Sequence, residues 1–116
     1  MSAAQLTLTT LAIVANAGIA VADLAKAPFV LANSAEVRVP RSWIAPLALT
    51  KLAGAAGLAL GLAGFGPIGL AAAAGLVLFF VGAVGVHLYT RVLHNLAFPL
   101  GYLALAVGAL VTAAGR

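Results

Sequence analysis

Asp23, Lys51 and His87 each interrupt a long apolar stretch of the chain. If those stretches lie in hydrocarbon, an ionisable side chain near mid-helix costs about 2.5–3.5 kcal/mol, so each needs a partner, a ligand or an ion path. Asn16 and Asp23 are seven positions apart and share a helix face. Lys51 follows Ser42 by nine positions, ~13 Å along a helix and close to mid-bilayer. His87, Arg91 and His94 follow one another at steps of four and three, which places them on one face of a third helix.

Two chemistries suit these residues. Asp23, Lys51, His87 and Arg91 could line a polar pocket for a small ligand, a quinone head group or a proton path, with Asn16 and His94 as further members. Alternatively, Lys51 and Asp23 form a structural ion pair that fixes helix register, while Arg91 and His94 sit at the membrane interface. Helical side chains lean toward the N-terminus and a lysine stem snorkels, so the Lys51 ammonium can reach toward Asp23. His87 and His94 also raise a haem or metal reading. At a seven-residue spacing they stand roughly 10 Å apart along one axis, too far to share a metal, so either would serve only as a single ligand beside another subunit.

Other templates fail. With no cysteine the chain can hold no disulfide, thiolate nucleophile or iron–sulfur cluster by itself. No Ser-His-Asp set, paired carboxylates, glycine-rich phosphate loop or zinc-ligand helix is present. No catalytic residue and no metal site is expected, and no cofactor held by this chain alone; contact with a quinone or haem is the redox alternative.

The elements that must position these residues follow from composition. The chain has 116 residues, 65% hydrophobic and 7% charged, with mean hydropathy +1.21. A chain this short cannot hide so much apolar surface from water by folding on itself, so lipid must be its outer solvent. The net charge of +4 is scattered near helix ends and forms no run that could follow a phosphate backbone, which excludes nucleic acid as a partner.

A spanning helix needs about 20 apolar residues, and four segments qualify: residues 6–25, 42–65, 67–91 and 95–114. Together they predict an all-α integral membrane four-helix bundle with up-down topology, a single transmembrane domain over residues 1–116. Ala15-Asn16-Ala17 resembles a signal-peptidase site, but no basic start precedes it and apolar sequence continues beyond it, so the first span is expected to be retained.

Residues 26–41 hold charges and turn formers, and Pro28 and Pro40 argue against a continuous helix, which makes this segment an interfacial loop. Phe65-Gly66-Pro67 is so short that the second and third spans must be antiparallel neighbours, and Pro67 suits a first helical turn. Trp43 and Tyr89 read as interfacial anchors, whereas Tyr102 lies deeper and its hydroxyl needs a partner. The first and third connections carry Lys26, Arg38, Arg41 and Arg91, against Arg116 alone on the other side. The positive-inside rule then puts residues 26–41 and 91–95 in the cytoplasm and both termini outside.

Small residues recur at helical spacing: Gly54, Gly57, Gly61 and Gly64; Gly75 and Gly82; Gly101, Gly108 and Gly115. These are expected to be packing seams where backbones approach closely. Gly57 and Gly61 make a GxxxG pair, read as intramolecular packing ahead of homo-oligomer formation.

The stretch Ala32-Asn33-Ser34-Ala35-Glu36-Val37-Arg38-Val39-Pro40-Arg41-Ser42-Trp43, then Lys51-Leu52-Ala53-Gly54 and Phe80-Val81-Gly82-Ala83-Val84 running on to His87, resembles the DoxX-like family of small four-helix bacterial membrane proteins. The resemblance implies a four-helix membrane bundle and independently selects Lys51 and His87. Some relatives are associated with thiosulfate:quinone oxidoreductase or membrane redox complexes, yet this chain has no cysteine with which to handle sulfur.

The function expected from these readings is a non-catalytic accessory subunit of a larger, redox- or quinone-linked complex in a bacterial inner membrane, in contact with lipid and other membrane subunits. The rivals are a self-sufficient membrane oxidoreductase or small-molecule transporter built around Lys51, and a homo-oligomer.

Overall fold

The computed structural model describes residues 1–115; Arg116, counted above on the sparsely charged side, lies outside them. Five helices run in order: α1 (Ala3–Leu24), α2 (Pro28–Glu36), α3 (Ile44–Leu62, entered through a 3-10 turn at Arg41–Trp43), α4 (Gly66–Tyr89) and α5 (Ala97–Ala114). Four of them, counting α3 with its 3-10 turn, are long and apolar enough to cross a membrane. The molecule measures 40 × 24 × 18 Å, and its long axis matches a bilayer of about 40–45 Å including head groups.

Local chemistry fixes where the helices begin. Ser2 caps α1, its Oγ accepting a hydrogen bond from the Gln5 N–H at 3.0 Å, so the helix starts three residues earlier than the apolar run suggested. Pro28 and Pro67 occupy the first turns of α2 and α4, and Pro99 that of α5, where a missing N–H breaks no intrahelical bond. Residues 26–41 are therefore not only a loop: Pro28 starts a nine-residue helix there.

The helix ends share one device. After α1, α2, α3 and α4 the second residue beyond the helix takes a left-handed conformation: Lys26 (φ 53°), Arg38 (φ 60°), Gly64 (φ 115°) and Arg91 (φ 58°). In each case the next N–H reaches back five residues: Ala27 to Ala22, Val39 to Ser34, Phe65 to Leu60 and Val92 to His87, at 2.9–3.1 Å. This Schellman arrangement satisfies the orphan carbonyls and turns the chain. It also ends α4 at Tyr89, short of the expected Arg91.

The four spanning helices pack in a ring, α1 on α3, α3 on α4, α4 on α5 and α5 back on α1, each antiparallel to its neighbours. Small residues let the backbones close in around Ala12, Leu58, Ala73, Leu76, Phe80, Ala106 and Ala109. The α3–α4 seam is the tightest. A Cβ at Gly61 would stand 2.7 Å from Gly69 Cα, one at Gly57 2.6 Å from Ala72 Cβ, and one at Gly54 would run into Leu76. A Cβ at Gly108 would stand 3.1 Å from the Leu8 side chain of α1.

Gly75, Gly82 and Gly101 do not fit the expected seams, and Gly64 serves the turn after α3 instead. All four are exposed, with open space where a Cβ would stand, the first three because α4 and α5 turn other faces inward. The outer surface is apolar instead of charged: Leu78, Phe98 and Leu93 are among many large side chains left exposed. In hydrocarbon that surface needs no cover.

Candidate functional site

The inward stripe of α1 reads Gln5, Thr9, Ala12, Asn16, Ala20 and Asp23, all buried, so a spanning helix presents polar groups along its whole inner face. Asp23 stands at the last turn of α1 and Lys51 one-third to halfway along α3. Because the two helices are antiparallel and both side chains lean toward their own N-termini, Lys51 points toward the end of the bundle where Asp23 sits. Lys51 Nζ meets Asp23 Oδ2 at 2.5 Å, with side chains only 12% and 8% exposed. Each ion thereby supplies the compensation the other needs inside the membrane.

The pair belongs to a longer chain of contacts. Lys51 Nζ lies 5.7 Å from the centre of the Phe79 ring, within cation–π range. Phe79 packs edge-on against Phe80 at 5.0 Å between centroids, and Phe80 lies 5.3 Å from the Tyr102 ring. Tyr102 donates its hydroxyl hydrogen to the Ala15 carbonyl at 3.2 Å. The path from Asp23 through Lys51, Phe79, Phe80 and Tyr102 to Ala15 crosses every interface of the ring once and returns to α1. Tyr102 thus has the partner its depth requires.

Asn16 is fully buried beside this path on the α1 stripe. Its Nδ2 donates to Ala12 O at 2.9 Å, and its Oδ1 is buried without a partner. His87 is also buried, and its Nδ1 lies 2.9 Å from the Ala83 carbonyl. A carbonyl can only accept, so the proton sits on Nδ1 and Nε2 is the acceptor in the neutral ring. Among the described residues no hydrogen bond or ion pair joins His87 to Asp23 or Lys51.

The structure separates the other expected members from this group. Arg91 is exposed and sits in the left-handed turn after α4, so it does not lean back into the membrane along a helix face. His94 is likewise beyond the helix, which removes the shared face with His87, and its Nε2 lies 2.6 Å from Glu36 Oε2. Next to it, Asn95 Nδ2 donates to Asn33 Oδ1 at 2.7 Å. These two contacts fasten the α4–α5 connection to α2. Among the described residues no three His, Asp or Glu side chains gather as a metal-ligand set.

Sequence reasoning missed Phe79, Phe80, Glu36 and Asn33. The aromatic residues gave no signal, since phenylalanine in an apolar helix is ordinary. Glu36 did give one: with only two acids in the chain and Asp23 assigned to Lys51, it was the one carboxylate left to receive a histidine or a loop cation.

Two cavities lie away from the ion pair. One of about 20 Å³ lies among Gln5 and Thr9 of α1, Leu58 and Gly61 of α3, Gly69 of α4 and Ala109 of α5, and one of about 240 Å³ lies between α2 and the start of α3.

An up-down ring of four apolar helices, closed by an internal ion pair and covered outside by lipid-compatible side chains, defines a small multi-pass membrane protein. The chain belongs to the DoxX-like family, whose family model matches residues 7–109, nearly its whole length. Comparison with curated proteins and with solved structures gives no match.

Proposed function

We propose that this protein is a non-catalytic accessory subunit of a larger membrane assembly, held in a bacterial inner membrane with the α2 end of the bundle in the cytoplasm. The observation that carries this reading is the inward use of its chemistry. Asp23 is spent on Lys51, Tyr102 on Ala15 and the His87 Nδ1 proton on its own helix, which leaves a broad apolar exterior for subunits and lipid. The Gly54–Gly57–Gly61 seam is used against α4, so a partner or second copy would meet other surfaces. The four cations at the α2 end support the orientation.

Purification of the tagged protein from its native membrane in mild detergent tests the reading. Companion polypeptides in fixed ratio are expected, and the visible spectrum of that complex reports any haem or flavin they bring. A lone species with turnover of its own would overturn it, and cross-linked multiples of this chain alone would make it a homo-oligomer.

One observation favours a second reading, an oxidoreductase or transporter built around Lys51. An ammonium has three donors, and among the described residues only Asp23 accepts from this one. The remaining donors, beside the Phe79 ring, suit the carbonyl of a quinone head group. Loss of turnover or uptake in Lys51→Ala with folding intact would establish that reading; collapse of the fold would return the pair to a structural role.

A further inference from the structure

Three of the four Schellman turns place a cation where glycine is the favoured residue, and all three lie at one end of the bundle. Lys26, Arg38 and Arg91 take the left-handed conformation there, whereas the turn at the opposite end uses Gly64. An L-residue meets a steric cost at this position that glycine avoids, so the arrangement exchanges local comfort for a ring of positive charge. Arg41, exposed at the entry to α3, adds a fourth cation to the same end.

No acid within the described residues neutralises them. Asp23 is paired with Lys51 and Glu36 with His94. Beside Arg41 lies the groove of about 240 Å³ between α2 and the start of α3, whose walls include the apolar Leu31, Val39 and Ile44 and the polar Ser34. The neighbouring Trp43 is 58% exposed, the position of a side chain seated among head groups.

We propose that this groove and its ring of cations form a binding site for an anionic phospholipid, with the phosphate on Arg41 and the upper acyl chain against Leu31, Val39 and Ile44. Charge complementarity selects the occupant: a mostly apolar groove lined by Arg41, at the bundle end that also carries Lys26, Arg38 and Arg91, fits a lipid bearing net negative charge. The site rests on the membrane location alone and is independent of the accessory-subunit reading.

The test uses the purified full-length protein in mild detergent, titrated with phosphatidylglycerol or phosphatidylcholine of the same acyl chains and read by native mass spectrometry. Tighter binding of phosphatidylglycerol is expected, weakening with salt, and Arg41→Gln should reduce that preference roughly fivefold. The triple variant Lys26→Gly, Arg38→Gly and Arg91→Gly keeps the favoured residue in each turn, so it should retain the helical fold while losing most of the preference. Equal binding of the two lipids, or a preference unchanged in both variants, would overturn the proposal and leave the groove to a protein partner. Displacement by glycerol phosphate as effectively as by the whole lipid would overturn it in favour of a free phosphate ligand.

Discussion

Lys51 and Asp23 each stand to lose more from the absence of the other than the pair gains from being there. Removing one partner from a buried ion pair costs about 3–5 kcal/mol, because the survivor remains buried and uncompensated, whereas replacing both by apolar residues is often neutral. Lys51→Met alone and Asp23→Leu alone are therefore expected to lower stability strongly, and the double variant to recover most of the loss. Thermal unfolding of the three variants in one detergent checks this; a double variant as unstable as the sum of the singles would show that the two residues do not act as a pair. This pair was legible in the sequence because a charge in hydrocarbon is costly enough to demand an explanation. Its aromatic continuation through Phe79 and Phe80 was not, because nothing in an apolar helix distinguishes an aromatic that supports a cation from one that fills space.

At the level of elements, hydropathy located the four spans and misplaced their ends. The terminal residues depend on individual bonds: the Ser2 cap lengthens α1, and the Arg91 turn shortens α4. The charge at Arg91 marks a span end near there, but arginine seldom occupies a left-handed turn, so the sequence puts the stop two residues late and extends the helix face to His94, which does not share it. The same limit applies to the glycines, whose spacing shows which face they occupy but not what lies opposite. That difference is measurable. Gly61→Ala sets a methyl 2.7 Å from the Gly69 backbone, which cannot swing aside as a side chain can, and is expected to destabilise by about 1–3 kcal/mol. Gly82→Ala adds a methyl to open space within a helix and should be neutral or stabilise by up to about 1 kcal/mol. Unfolding midpoints of the two variants report the contrast, and equal midpoints would place the α3–α4 seam wrongly. In the cationic turns, glycine would relieve about 1–2 kcal/mol of left-handed strain, against about 0.5–1 from its greater unfolded freedom and about 0.3–1 from the lost charge at a helix C-terminus. These nearly cancel, so such variants report on what the cations bind and not on folding.

Across the whole molecule, antiparallel packing gives the bundle two unlike ends. One holds α2, the His94–Glu36 and Asn95–Asn33 contacts, Lys26, Arg38, Arg41 and Arg91; the other holds the start of α1, the Gly64 turn and the end of α5. The ring topology requires Ser2 and Gly64 to emerge on one side of the membrane and Ser34 on the other, whichever way the protein inserts. The proposed orientation, with α2 in the cytoplasm, follows from the charge asymmetry, since Lys and Arg near span ends favour retention there. The native chain has no cysteine, so single-cysteine variants carry no background. Ser2→Cys and Gly64→Cys are expected to react with a membrane-impermeant maleimide in cells whose inner membrane is intact, and Ser34→Cys only after that membrane is opened. Reversed labelling would keep the fold and overturn the orientation, whereas labelling of Ser2→Cys and Gly64→Cys from opposite sides would break the up-down ring itself. Because the ion pair, the aromatic path and the lipid groove are all arranged relative to those two ends, this labelling pattern also decides which membrane face a partner subunit or an anionic lipid would have to approach.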